Sequence, residues 1–260
     1  MKQIDLYISK EDISRYIEDI CEICLLSKYN RSINKRSYTT TEYKVGERIH
    51  SDLGGPINPK TYDGYSYYIT FLDKRSRYLC VKLMKTKGEA LENFKIYKNL
   101  SENQTNTTIK EFFTDNGTEY VNDRFAIYIK QYGIIHANTP AYTKEPNSLA
   151  ERINLTLLNK LRSLLIYSKA KQNLWGEALL AAAYIYNRTP HSALDFKTPY
   201  EIYKGKPPEI NHIKVWGSIA YYHTNKQLTK LEPRKNLAIL IGYSDYMHYK
   251  LYDIKLRKAI

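Results

Sequence analysis

The order of the strand-like and helix-like segments constrains this chain more than any other feature of its sequence. Three short β-rich runs, ERIHSDL, YSYYITFLD and YLCVKLMK, follow one another from Glu47 to Lys85 and predict an antiparallel meander. A helix over Gly88–Asn103, a strand ending at Asp115, a helix over Asp123–Tyr132 and the strand GIIHAN come next. After the three strands of the meander, the chain therefore alternates helices and strands.

The helix that follows has one apolar side. Its apolar residues recur every four positions, which predicts a buried helical stripe made of Leu149, Ile153, Leu157, Leu161 and Leu165. The resulting order βββαβαβα is that of the ribonuclease H-like class. We therefore predict an α/β fold with a five-stranded mixed sheet flanked by helices, in which the first and fourth strands are neighbours near the middle.

Three acids stand where that fold would bring them together. Asp52 lies in HSDLGGP and Asp115 in FFTDNGTEY, with 62 residues between them. A further 35 residues separate Asp115 from Glu151 at the start of the helix. Carboxylate oxygens suit the hard Mg²⁺ ion, and two such ions can hold the attacking and the leaving oxygen of a phosphoryl displacement. The three acids are the candidate catalytic and metal-binding residues.

Each acid also has a purely structural interpretation. Ser148 and Glu151 have the S-x-x-E spacing of a helix capping box. Asp115-Asn116-Gly117 reads as an ordinary turn after a strand, and so does Asp52–Gly55. These alternatives stay open on the sequence alone.

The chain is strongly basic. It carries 40 Lys and Arg against 27 Asp and Glu, a formal charge of +13 with a pI near 9.4. Such a charge favours nucleic acid as a partner, although a generally solvated basic surface would have the same composition. Position alone suggests DNA contacts near the catalytic helix at Asn147, Arg152, Asn154 and Lys160. No apolar run is long enough to cross a bilayer and the first residues include acids, so we expect no membrane partner and a soluble, intracellular protein.

The ends of the chain are predicted to form separate units. Residues 1–46 contain Cys21 and Cys24, whose C-x-x-C spacing is half of a tetrahedral zinc site, followed by a basic connector. Residues 47–205 are the predicted catalytic core, and its last long helix contains Glu177, for which we expect a solvated or capping role. Residues 206–260 hold at least three strand-like runs and are predicted to form a small β unit.

The motifs in their order resemble the integrases of Ty1/copia-type LTR retrotransposons. The resemblance runs from Cys21 to Ile260 through C-x-x-C, HSDLGGPI, FTDNGTEY, AERINLTLL, LWGEALLAAAYIYNRTP, TPYEIYKGKPP, VWGSIAYYH and IGYS. It implies a polynucleotidyl transferase that inserts element cDNA into host DNA, with Mg²⁺ or Mn²⁺ held by Asp52, Asp115 and Glu151. It also implies a homo-oligomer that acts on cDNA ends and target DNA in the nucleus, after a cytoplasmic stage in virus-like particles.

Two departures from the family pattern accompany the resemblance. Family members carry an N-terminal His-His-Cys-Cys zinc module, of which only Cys21 and Cys24 match here, so the zinc site is incomplete. The stretch Lys144–Ser148 stands where the family usually has Pro-Gln-Gln-Asn-Gly, and only Asn147 matches. These departures leave an alternative function, a catalytically silent DNA-binding fragment of a decayed polyprotein, beside a weaker one, a nuclease on the same fold.

Overall fold

A five-stranded mixed sheet forms the centre of the protein, in a computed structural model that describes residues 43–115, 117–138, 148–223, 234–243 and 248–260. The strands are β1 Arg48–Gly54, β2 Tyr67–Asp73, β3 Leu79–Met84, β4 Glu111–Thr114 and β5 Ile135–Asn138. Their order is β3-β2-β1-β4-β5. The pairs β1–β2 and β2–β3 are antiparallel, whereas β4 is parallel to both β1 and β5. The predicted fold and the central pairing of the first and fourth strands are confirmed.

Five α-helices accompany this sheet in the described part of the chain: α1 Ala90–Thr105, α2 Asp123–Gln131, α3 Ser148–Ser168, α4 Trp175–Asn187 and α5 Pro199–Lys204. Local sequence explains several of their ends. The Asn122 side chain accepts a hydrogen bond from the Phe125 N–H at the start of α2. At the start of α5, the Thr198 side chain accepts a hydrogen bond from the Glu201 N–H. Gly205 ends this helix in a left-handed conformation, with a φ of 71°.

The helices cover the two faces of the sheet. The helices α1 and α2 pack on one face through an aromatic core that includes Phe71, Phe94, Phe112 and Phe125. The helices α3 and α4 cover the other face, with Leu72, Leu79, Ile153, Leu157 and Leu161 in a second core. Since side chains alternate along a strand, neighbours such as Phe71 and Leu72 enter different cores. The stripe predicted for α3 is confirmed, with Leu149 and Leu165 partly buried at its ends.

A second, antiparallel sheet forms the C-terminal β unit. It contains β6 Ile219–His223, β7 Lys235–Tyr243, β8 Tyr249–Asp253 and β9 Lys258–Ala259 in that order. Trp216 and Ile241 are buried in the same core as α3 and α4, and the Trp216 indole N–H donates to the Ile241 carbonyl at 2.7 Å. The predicted β unit is confirmed, and it packs directly on the helices of the core. The boundaries predicted near residues 46 and 205 stay predictions.

The prediction for Glu177 is wrong. Glu177 is only 4% exposed, because α4 is sandwiched between the central sheet and the C-terminal sheet. Its carboxylate accepts hydrogen bonds from the Tyr62 hydroxyl at 3.0 Å and from the Lys250 ammonium at 2.5 Å. The acid therefore joins three segments of the chain in the interior instead of facing solvent.

Candidate active site

Asp52 lies within β1, not in a turn. It pairs with Thr70 of β2, whose hydroxyl donates to the Asp52 carbonyl at 3.1 Å. Its half-buried carboxylate is held at both oxygens: Oδ1 accepts from the Leu53 N–H at 2.8 Å, and Oδ2 accepts from the Asn154 side chain at 2.5 Å. The strand and the helix α3 together fix the direction of this side chain.

Asp115 follows the last residue of β4. The parallel register pairs His50 of β1 with Phe113 of β4, so Asp52 and Asp115 both stand two residues beyond a paired position on adjacent strands. Asp115 is exposed, and its Oδ1 accepts a hydrogen bond from the Gly117 N–H at 3.1 Å. The register leaves Asp115 at the same edge of the sheet as Asp52. Asn116, the middle residue of the turn predicted here, lies outside the described residues.

Glu151 lies in the first turn of α3 and is exposed. Ile153 and Leu157 bury the other side of the helix against the sheet. Glu151 is three residues before Asn154, which contacts Asp52, so the two side chains lie one above the other on the helix surface. The side chain of Ser148, the other half of the alternative capping box, lies outside the described residues.

The three acids interact electrostatically. Burial raises the pKa of Asp52, and the negative charges of Asp115 and Glu151 raise it further, whereas the hydrogen bonds from Asn154 and Leu53 lower it. In the described ranges, no group of three His, Cys, Asp or Glu side chains is arranged so that it could hold a metal ion. The charges of Asp115 and Glu151 therefore act on Asp52, although the three side chains are not arranged as a metal site.

The donor atoms nevertheless match a hard divalent cation. All the candidate ligands are carboxylate oxygens, which Mg²⁺ prefers. Beside them, the Asn154 Oδ1 atom is buried and has no hydrogen-bond partner among the described residues. Repulsion between three carboxylates and an unsatisfied oxygen both favour a bound cation.

Several supporting contacts were not predicted from the sequence. The Thr114 hydroxyl donates to the Asp115 carbonyl at 2.8 Å and lies 2.9 Å from His136 Nε2. On the neighbouring strand, the Ser51 hydroxyl lies 2.9 Å from the Tyr120 hydroxyl. These contacts stabilise the strand ends that carry Asp52 and Asp115. Their sequence signal is weak, because nothing local distinguishes them from ordinary strand residues.

The four predicted DNA contacts fall in different environments. Arg152 is exposed and Lys160 is partly exposed on α3. Asn154 is 8% exposed and uses its amide to hold Asp52. Asn147 lies outside the described residues, as do Cys21 and Cys24 of the predicted zinc site. The DNA-binding roles and the zinc site stay predictions.

No helix in the described part of the chain is long and apolar enough to cross a membrane. The described cysteine, Cys80, is a free thiol at the edge of the aromatic core, and burial raises its pKa.

Comparisons with known proteins identify the family of this chain. Residues 42–144 match the integrase core domain family. The chain is 34% identical over 242 residues to the retrovirus-related Pol polyprotein from transposon TNT 1-94 of Nicotiana tabacum, covering 92% of this chain and 18% of that protein. It is 31% identical over 226 residues to the corresponding polyprotein from transposon RE1 of Arabidopsis thaliana, covering 86% of this chain and 15% of that one. The chain therefore spans less than a fifth of the length of these relatives.

A solved structure supports the fold. The simian T-cell lymphotropic virus intasome, determined in complex with PP2A regulatory subunit B56 gamma, superposes with a TM-score of 0.54 at 15% identity, covering 96% of this chain and 87% of that one. At this identity the likeness concerns architecture only. With the integrase core match and the transposon relatives, the chain belongs to the Ty1/copia-type retrotransposon integrases of the ribonuclease H-like superfamily.

Proposed function

We propose that this chain catalyses metal-dependent DNA strand transfer, the joining of element cDNA ends to host DNA. The observation that carries the proposal is the position of Asp52 and Asp115 on adjacent parallel strands, with Glu151 near enough for its charge to act on Asp52. When bound by these acids, two divalent ions, Mg²⁺ or Mn²⁺, would activate the attacking 3′-hydroxyl and stabilise the leaving oxygen.

The residues of the chain have distinct parts in this proposal. Asp52, Asp115 and Glu151 would hold the ions. Asn154 positions the Asp52 carboxylate, because its amide hydrogen bond fixes one oxygen of that group. Asp115 and Glu151 are exposed, so both side chains can change rotamer without disturbing either core.

The partners follow from charge and from the reaction. A formal charge of +13 favours binding to phosphates of both the cDNA and the target DNA. Insertion of an element joins two cDNA ends to one target, which requires at least two active sites and hence an oligomer. The reaction would take place in the nucleus, where the host DNA lies, after assembly in cytoplasmic virus-like particles.

The test is a strand-transfer assay with a labelled cDNA-end oligonucleotide and a plasmid target in Mg²⁺ or Mn²⁺. We expect Glu151→Gln, Asp52→Asn and Asp115→Asn each to lose about a hundredfold or more in activity. DNA binding and Tm should stay close to the parent values. A double variant should be little worse than a single one, since the acids would act on the same ions.

Glu209→Gln is the matched control, because Glu209 is an exposed acid outside the site. It should retain parental activity. Near-parental strand transfer by Glu151→Gln would contradict the catalytic assignment. A parent chain that binds DNA and transfers no strand in either metal would instead favour the catalytically silent alternative.

A further inference from the structure

A basic surface lies where β1 and β4 begin, at the end of the sheet away from the three acids. The two strands are parallel and pair Arg48 with Glu111 at their first residues, whereas Asp52 lies further along β1 and Asp115 follows the end of β4. Strand β2 ends beside the start of β1, because the two are antiparallel, and the turn that leads to β3 follows there. The basic end face, as we name this surface, consists of Lys44, Arg48, Lys74, Arg75 and Lys110.

Backbone hydrogen bonds fix the relative positions of these basic residues. The Lys74 N–H donates to the Arg48 carbonyl at 2.9 Å, which joins the turn after β2 to the start of β1. On the other side of β1, the Lys110 N–H donates to the Glu47 carbonyl at 2.8 Å. The Glu47 N–H in turn donates to the Lys44 carbonyl at 3.2 Å. The main chain therefore brings basic residues from three segments to one end of the sheet.

The turn that carries Lys74 and Arg75 is held in place by Asp73, which is fully buried. The Asp73 Oδ1 atom accepts from the Gly46 N–H at 2.8 Å. Its Oδ2 atom accepts from the Ser76 N–H at 2.7 Å and from the Ser76 hydroxyl at 2.5 Å. Arg75 is thus exposed on a turn whose backbone is fixed from inside.

The acids at this end of the sheet leave part of the positive charge uncompensated. The Glu47 carboxylate lies 2.6 Å from the Lys110 ammonium, and the Glu111 carboxylate lies 3.4 Å from Arg48 Nη1. Asp73 is buried and occupied by the donors of its own turn. In the described ranges, the other three cations of the face have no ion-pair partner, namely Lys44, Lys74 and Arg75.

An aromatic ring lies between two cations of the face. The centroid of the Tyr43 ring is 5.2 Å from Arg48 Cζ and 4.9 Å from Lys74 Nζ. These cation–π contacts hold the two side chains beside each other without neutralising either charge. Burial lowers the pKa of Lys74 and the positive charge of Arg48 lowers it further, whereas Glu111 acts in the opposite direction. Like charges therefore repel each other here, and a bound anion would relieve the repulsion.

We propose that the basic end face binds the phosphate backbone of target DNA through Lys44, Lys74 and Arg75. Phosphate oxygens accept charge-assisted hydrogen bonds from ammonium and guanidinium groups. Lys44 and Arg75 are exposed, so a duplex can reach them from solvent. Contacts to phosphate carry no sequence information, which suits a target whose sequence differs from one insertion to the next better than it suits a cDNA end of constant sequence.

The position of the face fits a duplex that also reaches the acids. Arg48 and Asp52 are four residues apart on β1, or about 13 Å at about 3.3 Å per residue. Phosphates of one DNA strand are spaced by about 3.4 Å along the helix axis, so this span corresponds to about four base pairs. The inference rests on the proposed function, which supplies the target DNA, and adds a binding surface outside the active site.

The first test measures DNA binding. A fluorescein-labelled duplex of arbitrary sequence is titrated with the full chain by anisotropy at salt concentrations from about 50 to 200 mM. We expect Lys74→Gln/Arg75→Gln to weaken binding on the order of tenfold at about 100 mM salt. It should also reduce the slope of log K against log salt by about 1.8, the loss of two phosphate contacts. Arg75→Gln alone leaves the Tyr43 contacts intact and should reduce the slope by about 0.9.

Two further variants separate this surface from general effects of charge and folding. Lys255→Gln/Arg257→Gln is the matched control, because it removes one lysine and one arginine from the exposed turn between β8 and β9. It should leave affinity and slope at the parent values. The charge-conserving Lys74→Arg/Arg75→Lys should bind DNA like the parent, since phosphate contacts of either residue type release the same counterions.

A strand-transfer assay identifies which DNA the face holds. In Lys74→Gln/Arg75→Gln, the plasmid concentration that gives half-maximal joining should rise on the order of tenfold. The corresponding concentration of the cDNA-end oligonucleotide should stay near the parent value. A rise for the oligonucleotide in place of the plasmid would show that the face holds the cDNA end, and the proposal would be wrong.

Two binding results would also overturn the proposal: parental affinity and slope in Lys74→Gln/Arg75→Gln, or an equal loss in the control variant. These measurements decide the question even when the parent chain transfers no strand. If Glu151→Gln abolishes strand transfer and Lys74→Gln/Arg75→Gln behaves like the parent, the face fails and the proposed function stands. If Glu151→Gln keeps strand transfer while the basic variants lose plasmid binding as expected, the catalytic assignment fails and the face stands.

Discussion

The Asn154 side chain donates a hydrogen bond of 2.5 Å to Oδ2 of Asp52, across 102 residues of sequence. This contact links the catalytic helix α3 directly to the central strand β1. It also explains why Asn154 is tolerated in a buried position, since a buried amide needs a partner.

Asn154→Ala tests this link. We expect the loss of the hydrogen bond to lower the free energy of unfolding by about 1 to 3 kcal/mol and strand transfer by about tenfold to a hundredfold, because Asp52 loses its orientation. Urea melts and the strand-transfer assay measure the two effects. Asn159→Ala on the same helix is the control, because the Asn159 side chain only accepts a bond from exposed Arg162. Equal effects of the two substitutions would refute a special role for Asn154.

The Glu177–Lys250 pair predicts an asymmetric response to mutation. Lys250→Met leaves a buried carboxylate with only the Tyr62 hydroxyl as a donor, so we expect a loss of about 1 to 3 kcal/mol, moderated because the Lys250 side chain is 44% exposed. The double variant Glu177→Gln/Lys250→Met should recover part of this loss. Urea melts measure both, with exposed Lys235→Met as the control. Additive effects in the double variant would show that the pair does not interact.

Asp253 predicts a pH dependence of stability. The Tyr222 hydroxyl donates to its carboxylate at 2.5 Å and the Leu256 N–H at 2.7 Å, and these bonds hold the pKa of Asp253 below its ordinary value. The unfolded pKa is about 3.9, so the stabilisation is fully present above that pH and is lost as the pH falls through the lower folded pKa. The stability difference between the parent and Asp253→Asn should therefore be constant above about pH 5 and shrink below about pH 4. A difference that does not change from about pH 6 to 2.5 in urea melts would contradict this.

Gly54→Ala tests the close packing behind Asp52. A Cβ atom at Gly54 would collide with the ring of Tyr68, which is 2% exposed and has no room to retreat. We expect a loss of about 1 to 3 kcal/mol and reduced strand transfer, because β1 must shift where it carries Asp52. Gly88→Ala is the control, since its nearest atom is the Thr86 hydroxyl oxygen at 3.9 Å. If Gly54→Ala melts at the parent temperature, the collision is absent in solution.

Much of the fold could be predicted from local patterns. The alternation of β-rich runs and amphipathic segments was sufficient for the mixed sheet, and the four-residue spacing on α3 identified Ile153, Leu157 and Leu161 as core residues. The predicted order of the elements also placed Asp52 and Asp115 correctly on the first strand and at the end of the fourth strand, which are neighbours in the sheet. These inferences succeed because periodicity reports which side of an element is buried.

The burial of Asn154 and Glu177 was not predicted, although a wider apolar stripe on each helix would have indicated it. Asn154 completes the set Ala150, Ile153, Asn154 and Leu157, and Glu177 completes the set Leu174, Glu177, Ala178 and Ala181; both follow the spacing i, i+3, i+4, i+7 of a buried face. The four-residue spacing used for α3 covers only part of that face. A polar residue inside the full stripe is a sign that it has a buried partner.

What the sequence by itself determined is the set of elements, their buried sides and the three acids. Only the tertiary structure decided which groups meet: Asn154 with Asp52, and Glu177 with Lys250. The physical reason is that periodicity is a local property of one helix or strand. The partner of a buried polar side chain lies on another element, and its identity depends on how separate elements pack across the core.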